Sequence, residues 1–206
     1  MASQQQILMP WGSSPHSELE CREMLFPFLG LFESAHMNAI GKWEAVDPET
    51  RDDVSSMQRG GVLHDLIKEE VARLVEEEGC SELEVCRSEF FKLYVNGEVV
   101  VRFKKLTGLH TVPFDNQTHN TKRYYCGYPL SSVRSHCTRL TCGYVLDEEG
   151  GLVDIAVSSQ MAEILLWSYS LLESISSEGG AESHGVEPDE AEIIIDDDQD
   201  NDAEVA

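Results

Sequence analysis

A short run of positive charge is the first candidate for chemistry in this sequence. From Leu93 to Leu106 the chain reads LYVNGEVVVRFKKL, so Arg102, Lys104 and Lys105 fall within four residues. Guanidinium and ammonium groups bind phosphate or carboxylate oxygens. The chain as a whole has a formal charge of −23, which makes a cluster of cations conspicuous. We interpret the cluster as a binding site for the phosphate of a ligand or the carboxylates of a partner.

More basic residues follow this cluster, and tyrosines lie among them. The basic residues are Lys122, Arg123, Arg134 and Arg139, and the tyrosines are Tyr124, Tyr125 and Tyr128. Such a mixture suits single-stranded nucleic acid or phosphate. It also suits a docking face for another protein, or a contact with the acidic end of the same chain. A charge of −23 repels polyanions at long range, so the sequence favours a protein partner.

The acidic residues are concentrated at the end of the chain. Residues 90–142 hold eight basic and two acidic residues, whereas residues 173–206 hold thirteen acidic residues and no basic residue. Low hydrophobicity combined with such charge predicts a disordered tail over residues 173–206. The apolar triplet Ile193, Ile194 and Ile195 interrupts this tail. The triplet is a candidate for docking on the sheet edge of a partner, but the sequence favours a purely solubilising tail.

Metal-dependent and covalent chemistry have weaker support. His110, His119, His136, Cys137 and Cys142 are potential zinc ligands, but their spacing lacks the two ligand pairs of a structural zinc site. A nuclease hairpin needs an acidic residue two positions before its lysine, and Arg102 occupies that position before Lys104. No nucleophile motif or phosphate-binding loop occurs. No metal, cofactor or catalytic residue is therefore predicted, and the sequence leans away from an enzyme.

The basic cluster is positioned by a chain whose periodicity changes from helical to extended. Residues 1–17 predict a flexible arm, and residues 18–172 a single α+β domain, helical over 18–79 and β-rich over 80–172. Ser17 and Glu20 have the spacing of a capping box, and Pro27 predicts a kink in the helix that follows. Residues 45–61 read as a linker, and the clearest helix then runs to a left-handed cap at Gly79.

An antiparallel meander is expected after Gly79. Asn96-Gly97 predicts a tight hairpin turn between two strands, the first of them running through LEVCRSEFFKLYV. On the second strand Val99, Val101 and Phe103 face one way, so Arg102 and Lys104 are expected to face the other way and stay in water. A short helix is predicted within THNTKRYY, followed by a second hairpin and a last strand that contains Trp167.

The composition limits where the chain works. No apolar run approaches the length needed to cross a bilayer, and the first residues lack the pattern of a secretory signal. The six cysteines contain no CxxC pair, so we expect them to be reduced. These features predict a cytoplasmic protein that does not contact a membrane.

A resemblance adds to this reading. RFKKL, the segment LTCGYVLDEEGGLVDIAV and the Trp167 strand resemble an uncharacterised bacterial family from mobile elements and prophages, over about residues 60–172. Members of that family resemble partners of metallopeptidases of the ImmA/IrrE kind, in toxin–antitoxin or phage-defence pairs. The resemblance places Arg102, Lys104 and Lys105 on the family's strand motif. It adds candidates from an Asn and Thr segment, in which Asn116 and Thr121 compete with Thr118 and Asn120.

The sequence therefore predicts an interaction protein, a toxin or its regulator, that acts through a protein partner. The partner- or phosphate-binding residues are predicted to be Arg102, Lys104, Lys105, Asn116, Thr121, Lys122 and Arg123. One alternative is a protein that binds nucleic acid or phosphate and is inhibited by its own acidic tail. A nuclease is one version of this alternative. Another is an acidic inhibitor that mimics DNA.

Overall fold

The chain folds as helices followed by a six-stranded sheet, which confirms the predicted α+β class. The computed structural model describes residues 16–113 and 118–172. Asn116, the Ile193–Ile195 triplet, most of the predicted arm and the acidic tail lie outside the described residues. The helices are α1 (Glu18–Leu25), α2 (Leu29–Glu44), α3 (Pro48–Asp52), α4 (Ser56–Glu78) and α5 (His119–Tyr125). The strands are β1 (Leu83–Cys86), β2 (Lys92–Val95), β3 (Val99–Lys105), β4 (Thr138–Leu146), β5 (Leu152–Met161) and β6 (Ile164–Ser170).

Local sequence signals set most helix ends. Ser17 and Glu20 form the predicted capping box, a 3₁₀ turn over Phe26–Phe28 separates α1 from α2 at Pro27, and Gly79 takes the left-handed cap with φ of 60°. The linker predicted over residues 45–61 is wrong in part. It contains α3, which Asp47 caps, and the first turns of α4, where Ser55 and Gln58 form a second capping box.

The strands are arranged in chain order, β1-β2-β3-β4-β5-β6. All neighbours are antiparallel except β3 and β4, which are parallel, with Val99 opposite Thr138 and Lys105 opposite Tyr144. The parallel pair departs from the predicted meander. A parallel pair needs a long crossover connection, and residues 106–137, which contain α5, form that connection.

The first hairpin also differs from its prediction. Asn96 and Gly97 have φ of 52° and 70° and form the expected turn. The long strand predicted before them is instead two strands, β1 and β2, which pair with each other. In the turn between them the Lys92 Nζ atom donates a hydrogen bond to the Ser88 carbonyl at 3.0 Å. Glu89 in this turn has a positive φ of 54°.

The two faces of the sheet carry separate cores. Val99, Val101 and Phe103 face α1, α2 and α4 and belong to the larger core. Val100 faces the other way, into a second core formed with the crossover and with Tyr124 and Tyr125 of α5. All six cysteines are free.

Arg102 corrects one expectation. The alternation of β3 puts its side chain on the second face, as predicted, but this face is not open to water there. Arg102 is only 4% exposed, because the crossover that joins the parallel strands covers it.

Candidate functional site

Arg102 is a buried cation in an aromatic cage. Its guanidinium lies 4.3 Å from the ring centre of Phe90, 5.0 Å from that of Tyr124 and 5.9 Å from that of Tyr125. Rings at these distances attract a cation through their negatively charged faces. Such attraction offsets part of the cost of removing a guanidinium from water.

The cage does not complete the hydrogen bonding of Arg102. The Nη2 atom makes a long contact of 3.5 Å with the Thr121 hydroxyl, and the buried Nη1 atom has no hydrogen-bond partner. No carboxylate of the described residues forms an ion pair with this guanidinium. A full positive charge therefore sits inside the second core without a counter-charge from residues 16–113 or 118–172.

A cavity of about 630 Å³ lies at the carboxyl end of β3. Its lining includes His64 from α4, Lys104 and Lys105 from β3, and Thr107 and Gly108 from the loop that follows. We refer to it as the basic cavity, because both charged residues in its lining are lysines. The volume is within the range of small-ligand sites.

The loop that walls the basic cavity is fastened to the sheet at two points. The Val112 amide donates to the Gln160 side chain at 2.8 Å, and the same side chain donates back to the Val112 carbonyl at 3.3 Å. The His110 Nε2 atom lies 2.9 Å from the Asp154 carboxylate, and its Nδ1 atom lies 3.1 Å from the Ser168 hydroxyl. These contacts give the cavity a fixed wall.

The charges around the basic cavity perturb one another. Burial, with the nearby charges of Arg102 and Lys68, lowers the pKa of Lys104 to about 8. Burial, with the charges of Lys104 and Lys68, lowers the pKa of His64 to about 4, so this imidazole is neutral at pH 7. Its Nδ1 atom is buried and has no hydrogen-bond partner.

Lys104 and Lys105 are not engaged by the rest of the described chain. Neither ammonium forms an ion pair with residues 16–113 or 118–172, while Lys68 on α4 is paired with Asp65 at 2.5 Å. Lys104 is partly exposed and Lys105 is exposed. Since a carboxylate or phosphate would supply the missing counter-charge, the arrangement is suited to binding an anion.

The other predicted basic residues do not line this cavity. Arg123 donates to the Pro129 carbonyl, Arg134 pairs with Glu84 at 2.5 Å, and Arg139 donates to three carbonyls of the crossover. Lys122 lies on α5 and is partly exposed. These contacts stabilise the crossover, so the structure divides the predicted patch into a cavity, a buried cage and structural contacts.

The interleaved tyrosines are mostly unavailable for stacking. Tyr124 and Tyr125 are 1% and 4% exposed, and the Tyr124 hydroxyl donates to the Val100 and Leu140 carbonyls at 2.9 and 3.0 Å. Tyr128 is exposed. The stacking argument for single-stranded nucleic acid therefore applies to one of the three tyrosines.

Sequence reasoning missed two groups of residues. His64 joins the lysines although 40 positions separate it from Lys104, and no spacing rule connects a helix residue to a strand end at that distance. His110, Asp154 and Ser168 also come together only in the fold, where Ser170 adds a hydrogen bond of 2.6 Å to Asp154. Within the described residues, no group of three or more His, Cys, Asp or Glu side chains is arranged to hold a metal ion.

No family model, curated protein or solved structure matches the chain. None of the helices in the described ranges is long and apolar enough to cross a membrane.

Proposed function

We propose that this protein is an interaction protein that acts through a protein partner, and that the basic cavity receives an acidic group of that partner. The observation that supports the proposal is Lys104, which lines the basic cavity beside Lys105 and forms no ion pair within the described residues. An entering carboxylate gains the Lys104 ammonium as a partner and relieves the repulsion that Arg102 exerts on Lys104. Pairing of opposite charges across an interface contributes to the specificity of binding.

The proposed setting follows from the resemblance of RFKKL and the Trp167 strand to the mobile-element family. In that setting the protein is a toxin or its regulator in a two-gene toxin–antitoxin or phage-defence unit in the cytoplasm. The partner is then a metallopeptidase-like protein encoded nearby. The protein works by binding and not by catalysis, and it does not act at a membrane.

A phosphate would pair with Lys104 as a carboxylate does, so nucleic acid is the competing ligand. Burial of Tyr124 and Tyr125 removes two of the stacking surfaces that single strands use. The chain's charge of −23 opposes the approach of a polyanion. Both considerations favour a partner that presents a local acidic group.

The test is a tagged pull-down of the full chain from its native host, with and without nuclease. Eluates are read by mass spectrometry and by the ratio of absorbance at about 260 and 280 nm, the usual nucleic-acid and protein bands. We expect a stoichiometric protein partner that survives nuclease treatment. A high ratio that nuclease abolishes, with no protein partner, would overturn the proposal and favour nucleic acid.

Variants connect the partner to the cavity. The double change Lys104→Gln with Lys105→Glu should release the partner, whereas Arg87→Glu should retain it, because Arg87 is exposed and does not line the cavity. Arg102→Glu is unsuitable, because Arg102 is buried and the change would place a carboxylate in the second core. Retention of the partner by the double variant would show that the partner binds elsewhere.

A further inference from the structure

Lys104 has an unusual environment for a lysine. It lies in the basic cavity with no hydrogen-bond acceptor from the described residues, and the charges of Arg102 and Lys68 repel its proton. Burial and neighbouring cations are the two conditions that convert a lysine from a charged surface group into a nucleophilic amine. At a pKa of about 8, about one-tenth of the side chains are neutral at pH 7, compared with fewer than about one in a thousand for an ordinary lysine.

His64 provides a second group for the same chemistry. It lines the cavity with Lys104, it is neutral at pH 7 because burial lowers its pKa to about 4, and its Nδ1 atom has no partner. Because the Nδ1 atom is buried, a proton taken from the cavity would pass through the Nε2 atom of this neutral imidazole. An amine and a proton carrier therefore share one cavity.

We propose that Lys104 is a covalent binding site, whose amine condenses with the aldehyde or keto group of a small anionic carbonyl compound in the basic cavity. The Lys104 Nζ atom forms a bond to the carbonyl carbon, and one nitrogen proton passes through His64 to the carbonyl oxygen to give a carbinolamine. The hydroxyl then leaves with a second proton as water, and an imine remains. No oxidant or reductant is needed, since one amine and one carbonyl give one imine and one water.

The ligand needs an anionic group because the cations Lys105 and Arg102 remain near Lys104 after it reacts. Lys105 also lines the cavity. The charge of Arg102 acts on both Lys104 and His64. A phosphate or carboxylate on the carbonyl compound offsets these cations, whereas a neutral aldehyde does not. The site shares the basic cavity with the proposed partner contact, but the inference does not rest on that contact.

The experiment uses the full chain without any partner, and two probes that differ only in a phosphate. Pyridoxal 5′-phosphate and pyridoxal are each incubated with the protein at about pH 7, where about one-tenth of the Lys104 side chains are neutral. The imine is trapped with borohydride, and tandem mass spectrometry locates the label. We expect Lys104 to be labelled at least about tenfold faster than its exposed neighbour Lys105. Pyridoxal 5′-phosphate should label it about tenfold faster than pyridoxal, and inorganic phosphate should slow the reaction.

Three variants test the assignment. Lys104→Arg keeps the positive charge and should remove the selective label without transferring it to Lys105. His64→Gln should slow labelling at Lys104, and Lys105→Gln should reduce the advantage of pyridoxal 5′-phosphate over pyridoxal. Equal labelling of Lys104 and Lys105, or equal rates with the two probes, would overturn the inference. An unchanged rate in His64→Gln would overturn the proton transfer assigned to that residue.

The result is separable from that of the pull-down. Failure of Lys104 labelling while a partner still binds the cavity overturns only the covalent site. Selective labelling when no partner depends on the cavity overturns only the proposed partner contact. If both hold, a bound partner should protect Lys104 from pyridoxal 5′-phosphate.

Discussion

Lys104→Met should make the protein more stable at neutral pH. The side chain carries a charge in a partly buried position without a counter-ion, and Met keeps its length while removing that charge. The pKa of Lys104 is lowered from its usual 10.5 to about 8. A shift of this size corresponds to about 3 kcal/mol when taken at face value. Because the ammonium is partly exposed, solvent screens the repulsion, and we expect a gain of about 1–2 kcal/mol in the free energy of unfolding.

The dependence on pH distinguishes this charge effect from better packing. Because the pKa of Lys104 is lower in the folded chain, the unfolded chain binds more protons between pH 8 and 10.5. The stability of the parent protein therefore rises with pH across that window. The advantage of Lys104→Met should be complete below pH 8 and should disappear above pH 10.5.

Urea unfolding of both proteins at about pH 7 and about pH 10.5 measures the difference, provided that the two denaturant slopes agree. Lys105→Met serves as the control. Its side chain is exposed, so the change should alter stability by less than about 0.5 kcal/mol. A Lys104→Met protein that is less stable at pH 7, or equally favoured at both pH values, would refute the view that Lys104 carries an uncompensated charge.

Three further predictions concern the frame around the site. Burial lowers the pKa of His36 from 6.5 to about 4. Below pH 6.5 His36 therefore takes up a proton in the unfolded chain but stays neutral in the folded chain. His36 should contribute a loss of about 2 kcal/mol between pH 7 and pH 5, and His64, whose pKa is also lowered to about 4, should add a similar loss, so His36→Met should reduce the parent's loss by about 2 kcal/mol in urea unfolding. Gly143→Ala should destabilise by more than about 3 kcal/mol, since its Cβ would lie 2.0 Å from the Lys104 carbonyl oxygen. Gly41→Ala, with open space around it, should not destabilise, and equal melting temperatures of the two glycine variants would contradict the close β3–β4 contact. Tyr124→Phe should cost about 1–3 kcal/mol, because it leaves two strand carbonyls with one partner fewer, and an unchanged urea midpoint would count against this role.

Local signals in the sequence were sufficient for most elements. The capping box at Ser17, the left-handed cap at Gly79 and the turn at Asn96-Gly97 each depend on residues within a few positions of one another. Residue types alone predict each of them, because the interactions that favour it are local. The same holds for the two faces of β3, which follow from the two-residue period of a strand.

Two predictions are wrong, the exposure of Arg102 and the antiparallel pairing after β3, and both depend on contacts between distant parts of the chain. The two-residue period of β3 puts Arg102 and Val101 on different faces of the sheet. It contains no information about which residues cover the face that carries Arg102. The parallel pairing of β3 with β4 is also non-local, since the hydrogen bonds join residues about 40 positions apart. A chain with a long irregular segment between two strands permits either pairing until the position of that segment is known.

The crossover between β3 and β4 accounts for their parallel pairing, for the burial of Arg102 and for one wall of the basic cavity. The crossover that returns the chain to the start of β4 buries Arg102 under Tyr124 and Tyr125, and its first residues wall the basic cavity. A buried Arg102 cannot be reached by a large partner, but its charge adds to the effect of burial in lowering the pKa of Lys104. Cations that are left without counter-ions reduce stability. In a chain with 38 acidic residues, a counter-ion at Lys104 would require a single substitution in the cavity lining. An unpaired cation in a cavity is the arrangement expected if a ligand brings its own negative charge, as we propose for Lys104.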